Sequence, residues 1–169
     1  MGELDFENVV FGYGGNTLFN GLSASFAKEQ ISCIVGPNGC GKSTLAKLAM
    51  GLIKPASGRV LIQGRNVASL NPRERARRLG VLVQQQEAPM MTVRELAACG
   101  RFPHHGPLSR LDETDAQCID ETLSLAGVYD LRDRPLRSLS GGQRQRARMA
   151  MVLAQDTPVV LLDEPTSFM

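Results

Sequence analysis

The residues best suited to chemistry stand together in Gly36-Pro37-Asn38-Gly39-Cys40-Gly41-Lys42-Ser43-Thr44, a fit to G-x-x-x-x-G-K-[ST]. Glycines let the backbone turn its N–H groups toward an anion, and a helix that starts there adds the positive end of its dipole. Lys42 is placed to reach the β- and γ-phosphates of a nucleoside triphosphate, and the Ser43 hydroxyl to ligate Mg²⁺. Chance produces the four fixed positions in about one chain in a hundred of this length, or fewer. Further along, Val159-Val160-Leu161-Leu162 runs into Asp163 and Glu164. Carboxylates at the C-terminal end of a strand in a parallel sheet lie where ligands are met. Asp163 suits the Mg²⁺ shell, and Glu164 suits a base that orients an attacking water.

Other candidates carry two readings each. Ser140-Gly141-Gly142-Gln143 is a second glycine-rich helix start, with Ser140 as cap and Gln143 completing a capping box. It is either an ordinary cap or another set of N–H groups pointing outward from a dipole end. Tyr13 is either a turn aromatic or a platform for a stacked base. Cys33, Cys40, Cys99 and Cys118 form no C-x-x-C pair and no cluster with His104 or His105, so they read as reduced thiols. Cys40 lies inside the phosphate loop, where positive charge favours thiolate, so its alkylation is expected to block nucleotide binding. His104 and His105 fall in a Pro/Gly/His loop without partners and read as surface residues.

These residues need elements to hold them. Ile31-Ser32-Cys33-Ile34-Val35 reads as a short buried strand feeding the loop, and Leu45, Ala46, Leu48, Ala49 and Leu52 as a largely buried helix leaving it, with Gly51 near its end. Residues 4–11 and 22–26 alternate and read as an antiparallel pair around the turn at 12–15. Residues 59–62 form another strand, and Asn71-Pro72 with Glu74 a capped helix start. Arg73, Arg75, Arg77 and Arg78 read as a solvated face. Residues 79–83 read as a strand that ends at Gln84-Gln85-Gln86. Thr92 caps a helix through Cys99, and a longer amphipathic helix presents Leu111, Ala116, Ile119, Leu123 and Ala126. The helical stretch 85–154 interrupts a strand-and-helix pattern, as an inserted subdomain would.

A formal net charge of +2 argues neither for nor against a polyanionic partner. The longest apolar runs are far too short to cross a bilayer, and the opening residues do not read as a charged-then-apolar leader.

Taken together, residues 36–44, Gln84, Leu139-Ser140-Gly141-Gly142-Gln143 and residues 159–164 resemble, in that order, the motifs of an ATP-binding cassette (ABC) ATPase. The resemblance implies Walker A at 36–44, a Q-loop glutamine at Gln84 that shares the Mg²⁺ site, and the family signature at 139–143. It implies Walker B ending at Asp163, the catalytic glutamate at Glu164, and an adenine-stacking aromatic at Tyr13. The loop Gly100-Arg101-Phe102-Pro103-His104-His105 is similar to that of importers for ferric siderophores, haem and cobalamin. The implied fold is α/β: a P-loop core at 1–84 and 155–169, with an N-terminal antiparallel β-subdomain, and a helical signature subdomain at 85–154. ATP and Mg²⁺ are the implied cofactors. Two cassettes are expected to pair head to tail, with a transmembrane permease and, indirectly, a substrate-binding protein as partners and no nucleic acid. The implied place is cytoplasmic, peripheral on the inner face of the cell membrane. A non-transport ABC ATPase and a nucleotide-binding module without turnover are the rival readings.

The family pattern also implies a D-loop and a strand ending in a switch histidine, which the chain lacks. The expectation is therefore a C-terminally truncated cassette, short by roughly a third of a typical one. Strands 31–35 and 159–162 would each face a missing neighbour.

Overall fold

In the computed structural model, which describes residues 2–82, 88–105 and 110–163, the alternating opening folds as the expected antiparallel pair. β1 (Leu4–Tyr13) and β2 (Asn16–Phe26) pair from Leu4↔Phe26 to Tyr13↔Asn16. β1 pairs on its other side with β3 (Ser57–Ile62), and β3 with the short β4 (Arg65–Asn66), giving an antiparallel sheet of order β2-β1-β3-β4. Leu4, Phe6 and Val9 of β1 are buried, and Val60, Leu61 and Ile62 are buried in succession, so the end of β3 is covered on both faces. The sheet belongs to the first of two compact units, Met1–Leu79, together with α1 (Lys42–Ala49) and α2 (Pro72–Ala76).

α1 buries Leu45, Ala46, Leu48 and Ala49 as expected, but Leu52 is exposed. Gly51 adopts a left-handed conformation (φ 63°), which ends the helix before Leu52 can join its apolar face. Residues 31–35, expected as a buried strand, form no strand: Ile31 and Val35 are 103% and 83% exposed. An apolar run becomes a strand only when a neighbour takes up its N–H and C=O groups. Among the described residues, none pairs with it.

The second unit, Gly80–Met169, is mostly helical. α3 (Val93–Cys99), α4 (Glu113–Leu125) and α5 (Gly141–Ala154) enclose a core that includes Val93, Leu96, Ile119, Leu123, Ala147 and Ala150. Each starts on a reciprocal capping box: Thr92 with Glu95, Asp112 with Asp115, Ser140 with Gln143. α4 departs from its expected face. Its first residue is Glu113, so Leu111 precedes it and is exposed, while Asp115 and Thr122 join Ile119 and Leu123 in the interior.

β5 (Leu79–Leu82) and β6 (Val159–Leu162) make a two-stranded sheet. In β6 Val160 and Leu162 are about four-tenths exposed (42% and 43%), in keeping with the missing neighbour expected for this strand; β5 is its one strand neighbour among the described residues. Among the described residues no helix is long and apolar enough to cross a membrane.

Candidate nucleotide site

The glycine-rich loop is open to solvent from residue 36 to residue 40, and Gly41 then caps α1 with φ 101°. Only glycine suits that position: a Cβ there would enter the left-handed region and meet the Phe19 ring at 2.8 Å. Lys42 turns back into the loop, its Nζ donating to the Gly36 carbonyl at 2.7 Å and the Pro37 carbonyl at 3.0 Å. The ammonium thus sits in the curl of the loop, where the terminal phosphates of a nucleotide would lie. Ser43 is exposed one residue further on, and Thr44 is buried against the core.

The end of α1 differs from those of the other α-helices. Asn71, Thr92, Asp112 and Ser140 each cap α2–α5 with a side-chain acceptor, whereas α1 has a glycine cap, no side-chain cap bond and no acid in its first turn. Its first N–H groups and the dipole's positive end are left to face an anion. A triphosphate with its Mg²⁺ fits this donor set: free backbone N–H groups, one ammonium and the Ser43 hydroxyl.

Tyr13 stands at the end of β1, half-exposed, its ring edge-on to Phe11 with centroids 4.9 Å apart. With about half its surface exposed, the ring could serve as a stacking platform.

In the second unit, Leu139 is buried in the helical core while Ser140 is exposed. Ser140 Oγ accepts from the Gln143 N–H at 3.2 Å, and Gln143 Oε1 accepts from the Ser140 N–H at 2.9 Å. A Cβ added to Gly142 would meet nothing within 4 Å, so the outer side of this turn is open. Asp163 follows β6, its N–H donating to the Leu82 carbonyl at 2.9 Å. Gln84 and Glu164 lie outside the described residues.

The histidines are not the surface residues their loop suggested. His105 Nε2 is 2.7 Å from Asp115 Oδ2, Arg101 Nε donates to Asp115 Oδ1 at 2.8 Å, and the Asp115 side chain is 3% exposed. Arg101 Nη1 also reaches the Ala154 carbonyl at 2.9 Å, and His104 Nε2 lies 2.8 Å from the Gln155 carbonyl. The segment 101–105 is thereby tied to the start of α4 and the end of α5. Desolvation pushes the Asp115 carboxyl up, but the backbone N–H of Asp112 and the Arg101 and His105 side chains outweigh it. The group is held well below the usual carboxylate range. The signal was in the sequence: an acid one turn before Ile119, in phase with the apolar stripe of α4, needs partners.

Residues 19–167 match the family model described as ABC transporter. The chain belongs to the ABC transporter family. Among relatives of this ABC chain, the iron(3+)-hydroxamate import ATP-binding protein FhuC of Bacillus subtilis is 39% identical over the whole chain and 63% of its own length. The ferric enterobactin transport ATP-binding protein FepC of Escherichia coli is 41% identical over 96% of the chain and 60% of its own length. Among solved ABC structures, CbiO1 of Clostridium perfringens, part of the CbiONQ transporter complex, superposes with a TM-score of 0.85 at 27% identity, covering 98% of this chain and 66% of that one. The chain thus spans about 60–63% of the length of these two curated relatives.

Proposed function

We propose that this chain is the nucleotide-binding part of an ATP-hydrolysing subunit that powers a membrane importer for ferric siderophores or related iron chelates. The observation that carries the nucleotide reading is the loop at 36–44: a curl with Lys42 seated in it, ahead of a helix whose N-terminal amides have no side-chain cap. Similarity to relatives named for ferric enterobactin and iron-hydroxamate transport supports the choice of solute.

In this reading residues 36–44 wrap the phosphate chain through backbone N–H groups, and Lys42 exchanges its loop carbonyls for the β- and γ-phosphate oxygens. Tyr13 stacks on the adenine. Ser43, Gln84 and Asp163 hold Mg²⁺, which neutralises charge that develops on the transferred phosphoryl group. Glu164 orients the attacking water. Leu139 anchors the signature turn, so that Ser140, Gly141, Gly142 and Gln143 meet the γ-phosphate held by a second cassette paired head to tail. Gln84 links hydrolysis to a permease that docks on the helical subdomain at 85–154, while 1–84 and 155–169 form the core. A substrate-binding protein delivers the solute from the far side. The subunit lies in the cytoplasm, peripheral on the inner face of the cell membrane.

Titration calorimetry with Mg-ATP tests the nucleotide reading. The wild-type chain should bind, and Lys42→Ala should weaken binding about 10–100-fold, the scale of one charged contact to phosphate. Equal affinities for the two proteins would end this reading. The specific observation that favours a second reading, binding without turnover by this chain, is the exposed segment at 31–35, which pairs with no strand among the described residues. Sustained Lys42-dependent phosphate release would decide against that reading.

A further inference from the structure

The sequence placed Arg75 on a solvated face, but its side chain turns inward to the far end of the phosphate-loop helix. Arg75 Nη1 donates to the carbonyls of Met50 and Gly51, both at 2.9 Å. These are carbonyls that a helix leaves unsatisfied at its C-terminus, where the dipole favours a cation. Two features build the seat. The Asn71/Glu74 capping box fixes the start of α2, and Arg75 follows immediately. At Gly51, a Cβ would lie 1.9 Å from Arg75 Nη1, so the guanidinium fits only against a glycine.

The consequence follows from the length of α1. With eight residues it has few internal hydrogen bonds, and isolated helices of that size do not hold together. Its N-terminus has no side-chain cap, so its order depends on buried Leu45, Leu48 and Ala49 and on what grips its C-terminus. We propose that Arg75 is a positioning residue for phosphate binding: by holding the Met50 and Gly51 carbonyls, it keeps α1 wound and Lys42 and Ser43 in register with the loop. This rests on the nucleotide reading above. Misplacement of a binding group by a fraction of a helical turn is costly, because phosphate contacts are directional.

Mg-ATP affinity is measured on the full chain for wild type, Lys42→Ala, Arg75→Met, Arg75→Lys, Gly51→Ala and Arg78→Ala, well below each protein's melting temperature. Arg75→Met keeps the aliphatic bulk and removes the donors; affinity should fall roughly tenfold, the worth of a charged hydrogen bond. Arg75→Lys should restore part of it, because an ammonium can still serve the two carbonyls. Gly51→Ala, whose Cβ would displace the guanidinium, crowd Val67 and strain a left-handed backbone, should lose at least as much. Arg78→Ala, whose Nη1 bonds Gln63 Oε1 at 2.8 Å, should bind as wild type. Wild-type affinity in both Arg75→Met and Gly51→Ala overturns the proposal. So does an equal loss in Arg75→Met and Arg75→Lys, or a loss shared by Arg78→Ala, since a general defect in folding would then explain it. If Arg75→Met does not fold, Gly51→Ala and Arg75→Lys decide. Absence of Lys42-dependent binding in the wild type overturns the nucleotide reading itself, which this set separates from failure of Arg75.

Discussion

Replacing Asp115 with Asn tests the buried cluster at the root of α4. The change keeps the shape of the side chain and removes its charge. Arg101 then loses its counter-ion and His105 its carboxylate contact, and the Arg101 side chain, 12% exposed, has little water to turn to. Removing one partner of a buried pair costs about 3–5 kcal/mol, and Asn can still accept from the Asp112 N–H, so about 3 kcal/mol is the expected loss. With a urea slope near 2 kcal/mol/M, the unfolding midpoint of the helical unit should drop by about 1.5 M. Far-UV circular dichroism in urea reports this, because α3, α4 and α5 supply most of the helical signal. The acid side gives an independent reading. The folded-state pKa of Asp115 is depressed, so its contribution is fully present above the unfolded value of about 3.9 and is lost as pH falls below it. Between about pH 4 and pH 2, wild type should therefore lose stability more steeply than Asp115→Asn. A urea midpoint within about 0.3 M of wild type, or parallel acid profiles, would refute the reasoning. Arg101→Met combined with Asp115→Asn should cost less than the sum of the two, with a coupling of at least about 1 kcal/mol.

Two further outcomes are expected. In a Cys33→Ser background, complete alkylation of Cys40 should abolish Lys42-dependent ATP binding, because the exposed thiol lies 4.0 Å from Lys42 Nζ. Cys40→Ser should be indifferent to the reagent; unchanged affinity after full modification, checked by mass spectrometry, would count against the loop as the phosphate site. Ser140→Ala removes the side-chain half of the α5 capping box and should cost about 1 kcal/mol, or about 3 °C in melting temperature by calorimetry. A melting temperature equal to wild type would mean that the hydroxyl contributes nothing to the cap.

What could be read from the sequence was local. The caps at Asn71, Thr92 and Ser140 depend on side chains three residues apart, and all three form as expected. The lysine and glycines of the phosphate loop are similarly self-contained. Asp112 was missed because its partner is Asp115, where the pattern asks for Glu or Gln. The failures share a cause: they depend on what comes from far along the chain. Arg75 looked solvated because nothing nearby in sequence needed it, yet its acceptors lie 24 and 25 residues earlier. His105 finds its carboxylate on a different element, and His104 a carbonyl 51 residues away. Residues 31–35 have the composition of a strand, but a strand is a relation between segments and not a property of one.

The glycine cap of α1 makes occupancy and local order two sides of one equilibrium. Asn71, Thr92, Asp112 and Ser140 give their helices a permanent covalent acceptor, while α1 has to borrow one from solution. Mass action then sets the order of the helix: an anion present at a hundredfold excess over its dissociation constant adds about 2.7 kcal/mol to whatever state binds it. Under the proposed function, nucleotide concentration thereby acts on α1 as temperature or denaturant would, with the opposite sign. Amides of the first turn of α1 should exchange with solvent in proportion to the unoccupied fraction, so that this short helix doubles as an internal gauge of how much nucleotide surrounds it.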